Sequence, residues 1–294
     1  MVGGRAITLS ELEAVWRKMF TAEGLDEGLS LHLRPSDVVI SPFAKCGTTW
    51  IQQIVHTLRT AGDEDYDDIS RVVPWIETSS GLGIDLDAEQ KSLPRAFKSH
   101  LPWDMVPKGG RYITSIRDPR DALVSMYRFM EGWWMEPGAI SIAEYARGNY
   151  LKRGEGRDYW FHLKSWFSQR DNPVVLLLAY ENMLLDSMQT IRRIADFIGV
   201  SVNDELLAIT ESHSSLAYML EHKDRFDDLL MRLRSETVGG LPTGSDSAKV
   251  RKGEVGSHKA ELPAEIIEEL DQVWDEEITQ TLGFADYSEL LDTF

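Results

Sequence analysis

Three times along this chain a short aliphatic run leads through a few polar residues into a helix with a single apolar face. That repetition restricts the fold to an α/β domain, a central parallel sheet flanked by helices. Val38-Val39-Ile40 passes through residues 41–47 into a helix whose apolar positions, Trp50, Ile51, Ile54, Val55 and Leu58, share one face. Residues 111–116 lead into a second helix, with Asp118 as N-cap, Pro119 at the first helical position and Asp121 in the first turn. Residues 174–179 precede a third, capped by Asp186 with Gln189 three residues on and closed by Gly199. The chain has 294 residues, 43% of them hydrophobic, enough for one large core. A single domain over 1–294 is expected, with a helical extension over 1–34 and a Gly/Ser-rich mobile loop over 237–249.

The charge balance excludes some partners. The 48 acidic and 31 basic residues give a formal net charge of −17, which repels nucleic-acid phosphates and polyanionic acceptors. A small anionic ligand is compatible with that field only where Lys and Arg gather locally. The single Cys fits a reducing compartment, and no apolar run is long enough for a membrane span or a signal h-region. The expected location is cytoplasmic.

Four segments concentrate the chemistry. Lys45-Cys46-Gly47-Thr48-Thr49-Trp50 joins the first strand to its helix. A loop feeding a helix N-terminus offers unpaired N–H groups and the positive dipole end, an anion site. No Walker A motif is present, because the chain contains no Gly-Lys dipeptide. Lys98-Ser99-His100-Leu101-Pro102 follows an expected strand at 95–97 and supplies a general base beside a cation. Arg117-Asp118-Pro119-Arg120-Asp121, with Ser125 further along the helix, puts a guanidinium fork where ligands bind in open parallel sheets. Arg251-Lys252-Gly253 follows the Gly/Ser-rich stretch. Taken singly, each segment also reads as a solvated turn or a capped helix start.

Together, in this order, they resemble the signatures of the cytosolic, PAPS-dependent sulfotransferases (PAPS is 3′-phosphoadenosine-5′-phosphosulfate). The resemblance covers roughly residues 35–285. It implies one α/β domain with a P-loop-like phosphosulfate-binding strand–loop–helix. It further implies transfer of a sulfuryl group from PAPS to a hydroxyl or amine of a small acceptor, leaving adenosine 3′,5′-bisphosphate. By the same resemblance Lys45, Cys46, Gly47, Thr48 and Thr49 grip the phosphosulfate, and Trp50 and Tyr180 flank the adenine. Arg117, Ser125, Arg251, Lys252 and Gly253 hold the 3′-phosphate, and Ser214 opens the adenine-side stretch. His100 matches the catalytic base and Lys98 the lysine on the transferring group. No metal is expected.

The chain departs from the family pattern in places. Cys46 replaces a Ser, Ala44 a Pro, and Leu216 an aromatic residue that stacks on adenine. Residues 259–268 keep the ends of the family's dimerisation motif, but Pro263-Ala264 replaces its centre and leaves the oligomeric state open. Residues 65–88 and 132–158 would shape the acceptor pocket. Trp103, Met105, Trp133, Trp134 and Met135 could line it or pack in the core. A nucleotide kinase and a catalytically silent PAPS binder are the rival readings.

Overall fold

The computed structural model describes residues 4–154, 156–245, 247, 249–251 and 253–294. Four strands form one parallel sheet in the order β2-β1-β3-β4: β1 (Val38–Ile40), β2 (Ala96–Lys98), β3 (Arg111–Ile116) and β4 (Val175–Ala179). Their residues are almost all buried, as expected of a parallel sheet covered on both faces.

Helices α1 (Leu9–Met19) and α2 (Ala22–Leu29) come before β1, and α3 (Thr48–Thr60) and α4 (Ile69–Val72) follow it. Beyond β3 come α5 (Pro119–Trp133), α6 (Ile142–Tyr145) and α7 (Tyr159–Phe167). After β4 the chain is almost wholly helical: α8 (Tyr180–Leu185), α9 (Ser187–Ile198), α10 (Asp204–His213), α11 (Leu216–Glu221), α12 (Leu229–Arg234), α13 (His258–Glu261) and α14 (Ala264–Trp274).

The pleat sorts the strand side chains. Val38, Ile40, Ile113 and Leu178 belong to one apolar cluster with Ile51, Ile54, Val55 and Leu58 of α3 and Ile191, Ile194 and Ile198 of α9. Val39, Phe97 and Tyr112, on alternate positions, join Trp166 of α7 in another. A third cluster gathers α5, α7 and α14. The expected caps form: Asp118 accepts from the Arg120 N–H, and Asp186 from the Gln189 N–H.

Some boundaries differ from the sequence expectation. Arg95 lies before β2 rather than in it, because its guanidinium turns into a buried bidentate pair with Asp37, Nε–Oδ1 3.1 Å and Nη2–Oδ2 2.5 Å. Lys98 is the last residue of β2, paired with Ile40. A short helix, α8, intervenes between β4 and the helix capped by Asp186. The 237–249 stretch begins inside a helical turn, Ser235–Gly239, and its Ser245 and Ser247 are buried. Ser247 Oγ donates to Asp227 at 3.0 Å.

Candidate active site

The site forms where β1, β2 and β3 end on the same side of the sheet, which parallel register makes unavoidable. Ile40 pairs with Lys98 and Ile113, so the residues following all three strands emerge side by side. The loop after β1 turns sharply. Lys45 has φ 69° and Gly47 φ 98°, both left-handed. A Cβ on Gly47 would sit 3.1 Å from the Tyr180 ring and 3.5 Å from Ser115 Oγ. Gly47 is thus required both for its backbone and for the close approach of Tyr180.

At the β2 end, His100 Nδ1 lies 2.8 Å from the Pro42 carbonyl. A carbonyl only accepts, so Nδ1 carries the proton and Nε2 keeps its lone pair. The His100 backbone N–H donates to Glu77 Oε1 at 2.6 Å, and the ring stands edge-on to Trp75 at 5.2 Å. Burial, then the nearby Lys98 charge, holds His100 well below the usual imidazole range. It is a neutral base at neutral pH.

Lys98 Nζ rests 3.8 Å above the Trp75 ring, and burial and Lys249 push it down to about 8. Lys45 is half-buried with its ammonium end enclosed, 4.5 Å from the Phe129 ring centre. Burial and then Lys249 bring it to about 7, against the pull of Asp228. The −17 chain has therefore gathered Lys45, Lys98, Lys249 and Arg117 at one sheet edge.

At the β3 end, Arg117 is buried and braced by backbone carbonyls. One guanidinium nitrogen donates to the Lys45 carbonyl at 2.9 Å, another to the Glu254 carbonyl at 3.1 Å. Its plane lies 4.4 Å over the Tyr180 ring, which meets Trp50 edge-on at 6.0 Å. Arg117 Nε, Thr48 Oγ1 and Trp50 Nε1 are buried donors that meet no acceptor among the described residues.

Arg251 is about one-third exposed, 3.9 Å from Glu261. Gly253 has φ 61°, and a Cβ there would meet Leu216 at 3.3 Å, so Gly253 lies against the start of α11. Ser214 is buried beside it in sequence, its hydroxyl bonded to the Thr210 carbonyl, and the His213 carbonyl accepts from Gln53 of α3. Thr49 is half-buried in the first turn of α3, and Ser125 is half-buried on α5. Cys46 is buried, its thiol pushed up to about 12 by burial, and so does not ionise at neutral pH. Lys252 lies outside the described residues.

The sequence reading missed the role of some residues and left others undecided. Asp121 brackets the far segment to α5, accepting from the Gly256 N–H at 2.6 Å and from the His258 N–H and Nδ1 at 3.0 and 2.8 Å. Burial acts against its charge, yet these bonds hold its carboxyl below the usual range. Trp75 and Glu77 lie in the undecoded 65–88 stretch. Trp133, Trp134 and Met135 are core residues: all are buried, and Trp133 Nε1 donates to Ser235 at 3.0 Å. Trp103 likewise packs edge-on against Tyr112 and Trp166.

Among the described residues no group of three or more His, Cys, Asp or Glu side chains is placed to hold a metal, and no helix is long and apolar enough to cross a membrane. Residues 35–282 match the family model described as "Sulfotransferase domain". The chain is 32% identical to sulfotransferase 2A1 of Rattus norvegicus over 257 residues, covering 84% of this chain and 86% of that protein. Its fold is similar to that of mouse sulfotransferase SULT7A1 complexed with PAP, with TM-score 0.69 at 20% identity over 94% of each chain. Retinol dehydratase in a complex with retinol and PAP gives TM-score 0.69 at 18% identity, over 95% of this chain and 97% of that one.

Proposed function

The chain belongs to the sulfotransferase domain family, and from that premise we propose that it transfers a sulfuryl group from PAPS to a hydroxyl or amine of a small, largely uncharged acceptor. The observation that carries this is the convergence of a neutral base, His100, with the ammonium groups of Lys45 and Lys98 at one strand edge. Arg117 lies over the Tyr180 ring, which meets Trp50 edge-on, and Gly253 lies against Leu216.

In the proposed reaction the acceptor oxygen or nitrogen forms a bond to sulfur as the bond from sulfur to the bridging phosphate oxygen breaks. His100 Nε2 receives the acceptor proton. Lys45 offsets the charge that develops on the departing bisphosphate, and Lys98 the charge on the equatorial sulfuryl oxygens. The backbone N–H groups of Gly47, Thr48 and Thr49 and the Thr48 hydroxyl suit the phosphosulfate. Cys46 offers less: its backbone N–H donates to the Phe43 carbonyl at 3.0 Å and its thiol is buried and protonated. Arg117, Ser125, Arg251, Lys252 and Gly253 are assigned to the 3′-phosphate, and Trp50, Tyr180 and Ser214 to the adenine side.

The acceptor would lie on the Trp75 side of His100. Trp75 contacts Phe20 at 5.8 Å, which gives an aromatic wall with no basic side chain beyond Lys98 in the contacts described. Retinol, the ligand of one structural relative, is an uncharged alcohol of that kind. With a single buried thiol and this cofactor, the protein is assigned to the cytoplasm.

Turnover with labelled PAPS against phenols, aliphatic alcohols, amines and sulfated oligosaccharides tests the reading. Label should pass to an uncharged acceptor. Preference for the oligosaccharides at both low and physiological salt would overturn the acceptor class, and failure to bind adenosine 3′,5′-bisphosphate would overturn the whole.

A further inference from the structure

Asp228 and Lys249 belong to no motif, yet they stand inside the cation cluster. Lys249 Nζ lies 2.6 Å from Asp228 Oδ1, with its side chain only 9% exposed. The same carboxylate oxygen lies 4.0 Å from Lys98 Nζ. The Lys249 carbonyl accepts from Lys45 Nζ at 3.4 Å. Lys249 therefore meets Lys45 through its backbone and Lys98 through a shared carboxylate. Asp228 reaches this place with φ 52° and ψ 52°, a left-handed backbone that residues with a Cβ adopt rarely and that collects at functional sites.

We propose that Asp228 and Lys249 are positioning residues of the transfer site. The Asp228 carboxylate holds the Lys98 and Lys249 ammonium groups together beside Lys45, and Lys249 adds a third positive charge for the donor's phosphosulfate. The proposal rests on the sulfuryl-transfer reading above. Three ammonium groups enclosed together repel one another and tend to shed protons. One buried carboxylate among them keeps them charged and still leaves the cluster net positive for an incoming anion. Burial opposes the charge on Asp228, but Lys249 and Lys98 hold it at about 2, so it stays ionised.

The charged groups around the pair come from several elements. Lys98 closes β2, and Lys45 lies in the loop after β1 with Arg117 acting on it from beyond β3. Glu77 acts on Lys98 from the 65–88 stretch. Asp68 caps α4, accepts from the Leu230 N–H at 2.9 Å, and is pushed up by burial and by Asp228. His100 feels both Lys98 and Lys249. Within this set Asp228 raises Lys45 and Lys98, and Lys249 lowers them.

The two residues thus have opposite signs, and the test uses that. Affinity for adenosine 3′,5′-bisphosphate is measured by calorimetry from about pH 6 to about pH 10 for the wild type, Asp228→Asn and Lys249→Met. In the wild type affinity falls on the basic side as lysines lose protons. Asp228→Asn should move that fall to lower pH by about half a unit or more, and Lys249→Met should move it to higher pH. At about pH 6 Asp228→Asn should bind more tightly than wild type and Lys249→Met more weakly. A damaged fold weakens both and separates neither limb. Limbs that stay put, or that move the same way, overturn the proposal while wild-type binding leaves the transferase reading standing. No binding by the wild type at all sinks both. Should Asp228→Asn fail to fold, the upward shift in Lys249→Met decides alone.

Discussion

At the His100 end of the site the positive charge comes from lysines, and at the Arg117 end from guanidinium groups. Lys45 and Lys98 are enclosed, depressed to about 7 and about 8, and answer to Asp228 and Lys249. Arg117 is instead braced by two backbone carbonyls and an aromatic face, and Arg251 leans on Glu261. A guanidinium keeps its charge and its planar fork across the pH range in which lysines of this kind titrate. The difference teaches a division of labour within the proposed reaction. In the proposed reaction the guanidinium end would hold a fixed phosphate, and the lysine end would meet charge that changes during transfer.

The strongest way to break that division is to remove the base. His100→Ala should lower turnover by roughly 10²–10⁴-fold, the usual worth of a general base. Binding of the bisphosphate, anchored at the Arg117 end, should stay within a few-fold of wild type. A variant that keeps more than a tenth of the wild-type kcat means His100 is not the base.

The converse experiment empties the guanidinium end by changing the ligand. Adenosine 5′-phosphosulfate lacks the 3′-phosphate and with it several charge-assisted hydrogen bonds, worth roughly 1.5–3 kcal/mol each. It should bind at least ~100-fold more weakly than PAPS, and comparable affinities in calorimetry would remove the assignment of Arg117, Ser125, Arg251 and Lys252.

The pH response sharpens the contrast. An anion favours the protonated lysines, so affinity is full below about 7, where both Lys45 and Lys98 carry charge. It falls as pH rises through about 7 and about 8, because the site then presents less positive charge to the anion. Between about pH 6 and about pH 9 the bisphosphate should weaken on the order of tenfold. Adenosine 5′-phosphosulfate should weaken in parallel, because the titrating groups serve the end both ligands share. A pH response confined to the ligand bearing a 3′-phosphate would place the titrating groups at the wrong end.

The smallest effect tests the loop that joins the two ends. Gly47→Ala adds a Cβ 3.1 Å from Tyr180 at φ 98°, and left-handed backbone alone costs roughly 1 kcal/mol. Thermal unfolding should show that loss, together with weaker bisphosphate binding as Tyr180 is displaced from under Arg117. Unchanged stability and unchanged binding would mean the loop yields more easily than its contacts indicate.

Much of this was legible in the sequence for local reasons. Asp118-Pro119 and Asp186 announce helix starts because a cap is satisfied within three residues of itself. The four motif segments were legible as chemistry, though singly each also matched a surface turn. The aromatics were harder. Trp133 and Trp75 are the same residue type in equally opaque stretches, yet one is core and the other stands beside His100. Nothing local distinguishes them, because the distinction is which distant side chain each one meets.

The sequence by itself determined the parallel α/β architecture and the family of chemistry. Strand and helix periodicity are short-range, and the lysine, histidine and arginine motifs are each contiguous. Only the tertiary structure decided that the carboxylate among the lysines is Asp228, that the third ammonium is Lys249, and that Asp121 fastens the far segment to α5. Those partners are separated by 21 residues or more along the chain, so their meeting is set by packing around the sheet. Burial and pairing, which fix how much charge each lysine carries, exist only once that packing has formed.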